Sequence, residues 1–372
     1  MKRIGVTGSN GFIGIHLLNS LKQCQDEFCI VPFDRSFFDD QELLVGFVRD
    51  CDVIVHLAGI NRHESEEILL NANLGFANSL VNALVEAKSS PHIIISSSVQ
   101  EELGNTYGNA KKLSREILRD WAARADAPFT GALIPNVFGP FGKPYYNSFI
   151  ATFCDQITNN NIPEIIVDTE VHLIYVQDLV DILLREIRTP AFKPILEIPS
   201  SKTIKVSDVC SQLLYFKNEY FDSGNIPSLT TSFDLNLFNT LRSFIDLKAF
   251  FPRRYKLHTD ARGSFVELVQ LGVGGQVSFS TTVPGITRGN HYHTRKVERF
   301  SVIRGKARIQ MRRIDSDSIF SFDLNGEEPS FVDMPIWYTH NIKNIGNDIL
   351  YTVFWINEIY NPEDSDTYFM EV

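Results

Sequence analysis

The seven residues Gly8-Ser9-Asn10-Gly11-Phe12-Ile13-Gly14 constrain this chain more than any others. They follow an apolar run at 3–7 without a spacer and lead straight into a helical period at 15–23. Glycine at these spacings lets a strand turn tightly into a helix. It also lets the backbone approach a pyrophosphate, whose charge then sits at the helix N-terminus. Short β-rich runs recur at 30–33, 53–57 and 92–96, and amphipathic stretches at 72–87, 176–187 and 206–215 supply further helices. This alternation predicts an α/β fold, a doubly wound open parallel sheet with helices on both faces.

After Arg254 the texture changes. Strand-like runs at 265–270, 275–280, 298–303 and 307–312 are separated by turns such as Arg304-Gly305 and Asn325-Gly326. They predict an all-β sandwich or barrel of about 100 residues. The expected division is residues 1–250 and 251–372, and a length of 372 residues suits two cores. A net charge of −10 with no clustered basic stretch argues against a nucleic-acid partner. No apolar run reads as long enough to span a bilayer, and the residues from Met1 enter a strand at once rather than a signal peptide, so no membrane partner is expected. The five cysteines (Cys24, Cys29, Cys51, Cys154, Cys210) lack paired spacing, which points to buried thiols in a reducing cytoplasm.

The run 53–57 ends in small residues at Leu57-Ala58-Gly59, leaving room for a ribose beside the glycine turn. With that turn, with Ser96-Ser97-Ser98, and with Tyr107 and Lys111 four apart, the chain resembles the extended short-chain dehydrogenase/reductase family. The resemblance continues through Pro135-Asn136-Val137-Phe138-Gly139-Pro140 and Tyr175 to Asp178, about 180 residues in all, and implies a Rossmann-type domain. Tyr107 and Lys111 share one helix face, and a lysine cation beside a phenol would lower its pKa and make it a usable proton donor. The family implies one catalytic serine from the triplet; Ser97 is taken, with Ser98 next to it. Gly8, Gly11, Phe12, Ile13, Gly14, Leu57, Ala58, Gly59 and Lys111 are expected to hold the dinucleotide, and Asn136 and Asn147 the substrate. At the end of the second strand, Asp34 would bind a ribose hydroxyl and favour NAD, whereas Arg35 would pair with the extra phosphate of NADP. NADPH with Arg35 is the expectation. The family's arginine ahead of its Asn-x-Phe-Gly run is missing, since Ala132-Leu133-Ile134 stands there.

Gly285, His291, His293, Glu298 and Gly305 have the spacing of a first cupin motif, and Pro335 to His340 resembles the second. His291 and His293 would share a strand face, Glu298 would enter from the next strand, and His340 would complete the set. Three imidazoles and a carboxylate suit a divalent metal, zinc first, with nickel, manganese or iron also compatible. Trp337 replaces a glycine of the second motif, a departure expected to change the local backbone. Asp260, Arg262, Gly263 and Phe265 resemble the opening of sugar-nucleotide 3,5-epimerases, whose base is not transferable here; His258 and Tyr338 are weak candidates.

The reductase followed by a cupin barrel, together with Asn147-Ser148, Thr152 to Cys154 and the run from Asp366 to Val372, resembles the bifunctional reductase–cupin enzymes of capsule and O-antigen synthesis. That resemblance implies a UDP-linked 2-acetamido-2,6-dideoxy-4-hexulose as substrate. It further implies 3-epimerisation, 4-keto reduction to UDP-2-acetamido-2,6-dideoxy-L-talose on the route to UDP-N-acetyl-L-fucosamine, and a homodimer. Two other readings stand beside it. One is a reductase whose cupin is a metal-stabilised dimerisation or substrate-binding module. The other, a nucleotide sensor without turnover, is disfavoured by the intact Tyr107–Lys111 pair.

Overall fold

The computed structural model describes residues 1–256, 258–260, 263–265, 268 and 274–372, with the backbone alone at 258–260 and 263–265. It divides into two compact units, residues 1–152 with 166–206, and residues 153–165 with 207–372.

Residues 1–205 run β1 (Lys2–Thr7), α1 (Phe12–Gln23), β2 (Phe28–Val31), α2 (Gln41–Asp50), β3 (Val53–His56), α3 (Glu66–Ala87), β4 (His92–Ser98), α4 (Thr106–Ala125), β5 (Phe129–Ile134), β6 (Asn136–Phe138), α5 (Phe149–Thr158), β7 (Glu170–Tyr175), α6 (Val176–Arg188), β8 (Phe192–Glu197) and β9 (Lys202–Lys205). Six strands pair in the order β2-β1-β3-β4-β5-β8, every pair parallel, as the alternation predicts. Period-two burial explains why both faces carry helices. Val53 and Val55 pack with Leu17 and Leu21 of α1 and Leu179 and Leu183 of α6. Ile54, pointing the other way, packs with Leu44 and Val48 of α2 and Leu80 and Leu84 of α3. Each such side chain stabilises the fold by about 1.5–3 kcal/mol. The strand order reverses between β1 and β3, and a doubly wound sheet opens a ligand crevice at the carboxyl ends of such a pair. A small sheet β6-β7-β9 accompanies the main one.

One expectation needs correction. α3 is 22 residues long and contains an 18-residue stretch with a mean hydropathy of 1.4, enough by length and composition to cross a membrane. Its Leu69, Ala77, Leu80 and Leu84 are buried instead against the sheet and its neighbouring helices, and Asn73 is buried with them. The apolar character serves a helix layer of this unit.

The rest of the chain forms α7 (Val206–Phe216), α8 (Ser232–Arg242), α9 (Leu247–Phe250), then β10 (Arg253–Arg254), β11 (His258–Asp260), β12 (Gly263–Phe265), β13 (Gln276–Thr282), β14 (Thr287–Tyr292), β15 (Glu298–Arg304), β16 (Lys306–Arg313), β17 (Ile319–Asn325), β18 (Ser330–Met334), β19 (Tyr338–Asn344), β20 (Leu350–Ile356) and β21 (Tyr368–Phe369). Two five-stranded antiparallel sheets result, β10-β18-β15-β20-β13 and β17-β16-β19-β14-β21, with β11 and β12 paired separately. Phe300, Val302 and Val332 of the first and Ile309, Met311, Phe322 and Ile342 of the second share one core, so the sheets face each other. Among the described residues they close no barrel.

Residues 207–250 join this unit through polar and apolar anchors. Tyr220 donates its hydroxyl to Asp333 at 2.6 Å, and Arg299 grips the same carboxylate with two bonds of 2.8 and 3.0 Å. Arg242 reaches the Met334 carbonyl at 3.0 Å, while Leu247 and Phe251 enter the core between the sheets. Burial together with the neighbouring Asp333 raises the Tyr220 phenol far above its ordinary value, so it stays a donor.

Candidate functional site

At the β1/β3 switch point a cavity of about 250 Å³ opens. Gly8, Gly11, Leu57, Ala58, Gly59 and Arg35 line it, together with the rings of Phe33, Phe38 and Phe76. Gly8 has φ +71°, and a Cβ there would stand 2.7 Å from the Ala58 nitrogen. A Cβ on Gly14 would meet the Gly8 carbonyl at 2.4 Å. Both positions therefore demand glycine. Gly11 caps α1, Phe12 and Ile13 form its half-buried first turn, and that turn carries no acidic side chain. Its N–H groups are left for an anion. The wall beyond Gly59 is fixed by Asn73, which accepts from Ile60 N–H at 3.1 Å and donates to the Ile60 and Leu69 carbonyls. Neither Asn73 nor the aromatic walls were singled out from sequence; the run Phe33, Phe37, Phe38 was the available signal.

The two candidates for coenzyme choice separate. Asp34 turns away and accepts from the N–H and hydroxyl of Ser36 at 2.9 and 2.7 Å, which holds its carboxyl below the usual range. Arg35 faces the cavity.

Lys111 is buried, and its ammonium donates to Ser96 Oγ at 3.4 Å. It stands 3.7 Å from where a Cβ on Gly59 would lie, beside the cavity wall. Burial pulls its pKa down to about 8. Tyr107, on the same helix face, is pushed up to about 12 by burial, with Tyr146 adding to the shift. The expected lowering by Lys111 is therefore not what this state of the protein has, because desolvation of the phenolate dominates. Ser97 donates its hydroxyl to Glu101, which Arg115 holds by a bidentate pair of 2.9 and 2.6 Å. Ser98 accepts the Gln100 N–H at 3.2 Å and keeps its own proton for another partner. Asn136 and Asn147 are exposed and are not among the residues lining the cavity.

In the second unit His291, His293, Glu298 and His340 converge, with one ligand-type atom from each lying within 4.8 Å of the others. His291 lies on β14 and pairs directly with His340 on β19, while Glu298 opens β15 of the facing sheet. A bulge between Gly289 and His291 sets the aim of the first imidazole. Gly289 has φ +99°, and a Cβ there would strike the His340 carbonyl at 2.8 Å. His293 Nε2 and His340 Nε2 each stand 3.2 Å from the same Glu298 oxygen. The second contact lacks hydrogen-bond geometry, which leaves a buried nitrogen without a proton partner among the described residues. Burial pulls His291 down to about 4, helped by His340 and His293, so its imidazole is neutral. Burial opposes ionisation of Glu298, but the two imidazoles outweigh it and hold the carboxyl well below its usual range. A neutral His291 imidazole, an ionised Glu298 carboxylate and the unpartnered buried nitrogen of His340 fit a divalent cation.

Trp337 alters the expectation drawn from sequence. It adopts φ +63°, the left-handed backbone a glycine would take, so the local shape is kept. The strain is offset by burial, by stacking on Tyr292 at 6.0 Å, and by a 2.7 Å bond from its N–H to the His293 carbonyl. Tyr338 is half-buried two residues before His340, and burial raises its phenol pKa. The side chains of His258, Asp260 and Phe265, the backbone and side chain of Arg262, and so the epimerase-like opening, lie outside the described residues.

The switch-point cavity and the Tyr107–Lys111 helix define a class. Residues 4–198 match the NAD dependent epimerase/dehydratase family, and the chain belongs to it. Residues 258–368 match the polysaccharide biosynthesis C-terminal domain. The particular likeness is to CapF. A crystal structure of that capsular polysaccharide assembling protein from Staphylococcus aureus is 32% identical and covers all of both chains, with a TM-score of 0.64. A UDP-2-acetamido-2,6-beta-L-arabino-hexul-4-ose reductase of Pseudomonas aeruginosa is 33% identical over 374 residues, 98% of each chain. RMD of Pseudomonas aeruginosa, solved with NADPH, is 20% identical over 58% of this chain and 82% of its own, with a TM-score of 0.52, and shares the fold.

Proposed function

We propose that this chain is a bifunctional UDP-sugar enzyme, epimerising carbon 3 of UDP-2-acetamido-2,6-dideoxy-4-hexulose and reducing its 4-keto group. The product is UDP-2-acetamido-2,6-dideoxy-L-talose, a precursor of UDP-N-acetyl-L-fucosamine. The observation that carries this reading is the presence, in one chain, of the switch-point cavity beside Lys111 and of the His291–His293–Glu298–His340 cluster. The full-length likeness to a 4-keto-hexulose reductase supports the substrate class.

NADPH, when bound, supplies the hydride for carbon 4. Gly8, Gly11 and the first turn of α1 receive its pyrophosphate, and Arg35 its extra phosphate. Tyr107 gives its phenolic proton to the developing alkoxide, so no charge remains on the sugar. Lys111 in its cationic form stabilises the phenolate left behind, and Ser98, whose proton is uncommitted, aligns the carbonyl in place of Ser97. Asn136 and Asn147 face solvent, where a substrate can reach them.

Within the second unit, residues 251–372 are read as a cupin domain, and the protein as a cytoplasmic homodimer. A divalent cation, zinc first, when bound there supplies Lewis acidity toward the 4-keto oxygen, which makes the proton on carbon 3 acidic. His291, His293, Glu298 and His340 would hold it. Reduction by excess NADPH draws the epimerisation forward.

The test is incubation with the 4-keto sugar in deuterated water, with and without NADPH. The expected result is deuterium at carbon 3 in both arms; its absence from both sinks the epimerase step. Tyr107→Phe should abolish NADPH oxidation and preserve the exchange, whereas a truncation to the reductase unit that gives the same product stereochemistry would favour a reductase alone.

A further inference from the structure

The segment that follows β20 runs beside the histidine cluster and is tied to β14, β19 and β16 of the second sheet. β21 pairs with β14, setting Phe369 opposite His291. Met370 donates its N–H to the Asn290 carbonyl at 2.9 Å, Thr339 gives its hydroxyl to the Met370 carbonyl, and Arg312 reaches the Glu371 carbonyl at 2.7 Å. At its centre is Asp366, 3% exposed and held at φ +40°. Its carbonyl stands 2.6 Å from His293 Nδ1. A carbonyl only accepts, so Nδ1 carries the proton and Nε2 is the nitrogen left to ligate. Its carboxylate accepts from Thr294 N–H and hydroxyl at 3.0 and 2.6 Å, from Arg295 N–H at 3.0 Å and from Lys296 N–H at 3.2 Å. Those three residues are the first three of the four that link His293 to Glu298.

We infer that Asp366 is a positioning residue of the metal centre, its carbonyl fixing the His293 tautomer and its carboxylate fixing the 294–296 link between two ligands. The inference rests on the metal-centre reading given above. Left-handed backbone at a buried aspartate is strained, and five short polar contacts to one ligand and its neighbouring loop offset that strain. Packing alone would be served as well by an apolar residue.

The test uses full-length protein stripped by chelator and titrated with zinc against a chromophoric competitor. Cobalt(II) absorption reports the ligand field, and NADPH fluorescence reports the other unit. Wild type should take up one ion per chain. Asp366→Asn and Asp366→Ala should bind it about 10–100-fold more weakly with an altered cobalt spectrum, and NADPH affinity should be unchanged. A loss under threefold, or an unaltered cobalt spectrum, overturns the inference while leaving the metal centre standing. Wild type that binds no ion removes the metal centre itself. Should Asp366→Ala fail to fold, Asp366→Asn decides by the same threshold, and failure of both to fold assigns Asp366 a structural role and overturns the inference.

Discussion

Arg115→Met tests the reasoning about the reductase unit most sharply. Arg115 and Glu101 have side chains only 4% and 7% exposed, joined by bonds of 2.9 and 2.6 Å, and Arg115 also reaches the Pro194 carbonyl at 3.2 Å. Removing the guanidinium leaves Glu101 buried with only the Ser97 hydroxyl and its neighbours. Loss of one partner from a buried pair costs about 3–5 kcal/mol. For a unit of this size that is a fall in Tm of about 6–20 °C. The pH dependence has a definite sign. In wild type, burial raises the Glu101 pKa but the Arg115 and Ser97 bonds lower it further, and the net is below the ordinary value. That contribution to stability is present above the unfolded carboxyl pKa and is lost as pH falls through the folded one. Without Arg115, burial outweighs the remaining Ser97 bond and Lys112 charge, the folded pKa moves above the unfolded one, and the deficit of the variant shrinks as acid protonates Glu101. Urea unfolding of the reductase-unit transition at pH 8 and pH 5 measures both effects. Arg115→Met with Glu101→Leu should recover at least half of the loss. A deficit below about 1 kcal/mol at pH 8, or one that grows in acid, would refute the argument.

Further predictions follow from individual contacts. Gly8→Ala places a Cβ 2.7 Å from the Ala58 nitrogen at φ +71° and should weaken NADPH binding at least about tenfold in a fluorescence titration. Arg35→Ala should reduce the preference for NADPH over NADH by a similar factor, read from the ratio of the two Kd values. Trp337→Gly relieves the positive φ but empties a buried indole site, so thermal unfolding of the second unit should show a net loss of about 2–4 kcal/mol rather than a gain.

Legibility from sequence followed the range of the forces involved. Gly8, Gly11 and Gly14 announced the strand–turn–helix because each meets backbone within a few residues or at one neighbouring strand end. Tyr107 and Lys111 were found by helical spacing, but their ionisation was not, since burial depends on what packs above them. Ser97 and Ser98 could not be separated by position in a run; the Glu101–Arg115 pair, set by the packing of α4 on β5 and β8, draws Ser97 away. The search for a long apolar run passed over α3 because Asn71, Asn73, Asn78 and Asn82 interrupt its apolar stretch.

The second unit shows the same division. His291, His293 and Glu298 stand close in sequence, and strand periodicity was enough to point them at one centre. His340 joined them by motif spacing alone. What held the centre together was out of reach: the Asp366 carbonyl on His293 comes from 73 residues away, and Trp337 keeps a glycine backbone because Tyr292 and the His293 carbonyl meet it there. The sequence assigned residues up to 250 to the first domain, yet Tyr220, Arg242 and Leu247 anchor the stretch before 250 to the sheets of the second unit. Sequence by itself determined the local geometry, the glycine turn, the strand and helix periods and the kinds of donor atom. Tertiary structure alone decided protonation, tautomer and which of several identical side chains is tied into a buried ion pair, because desolvation and long-range hydrogen bonds exist only once distant segments are packed.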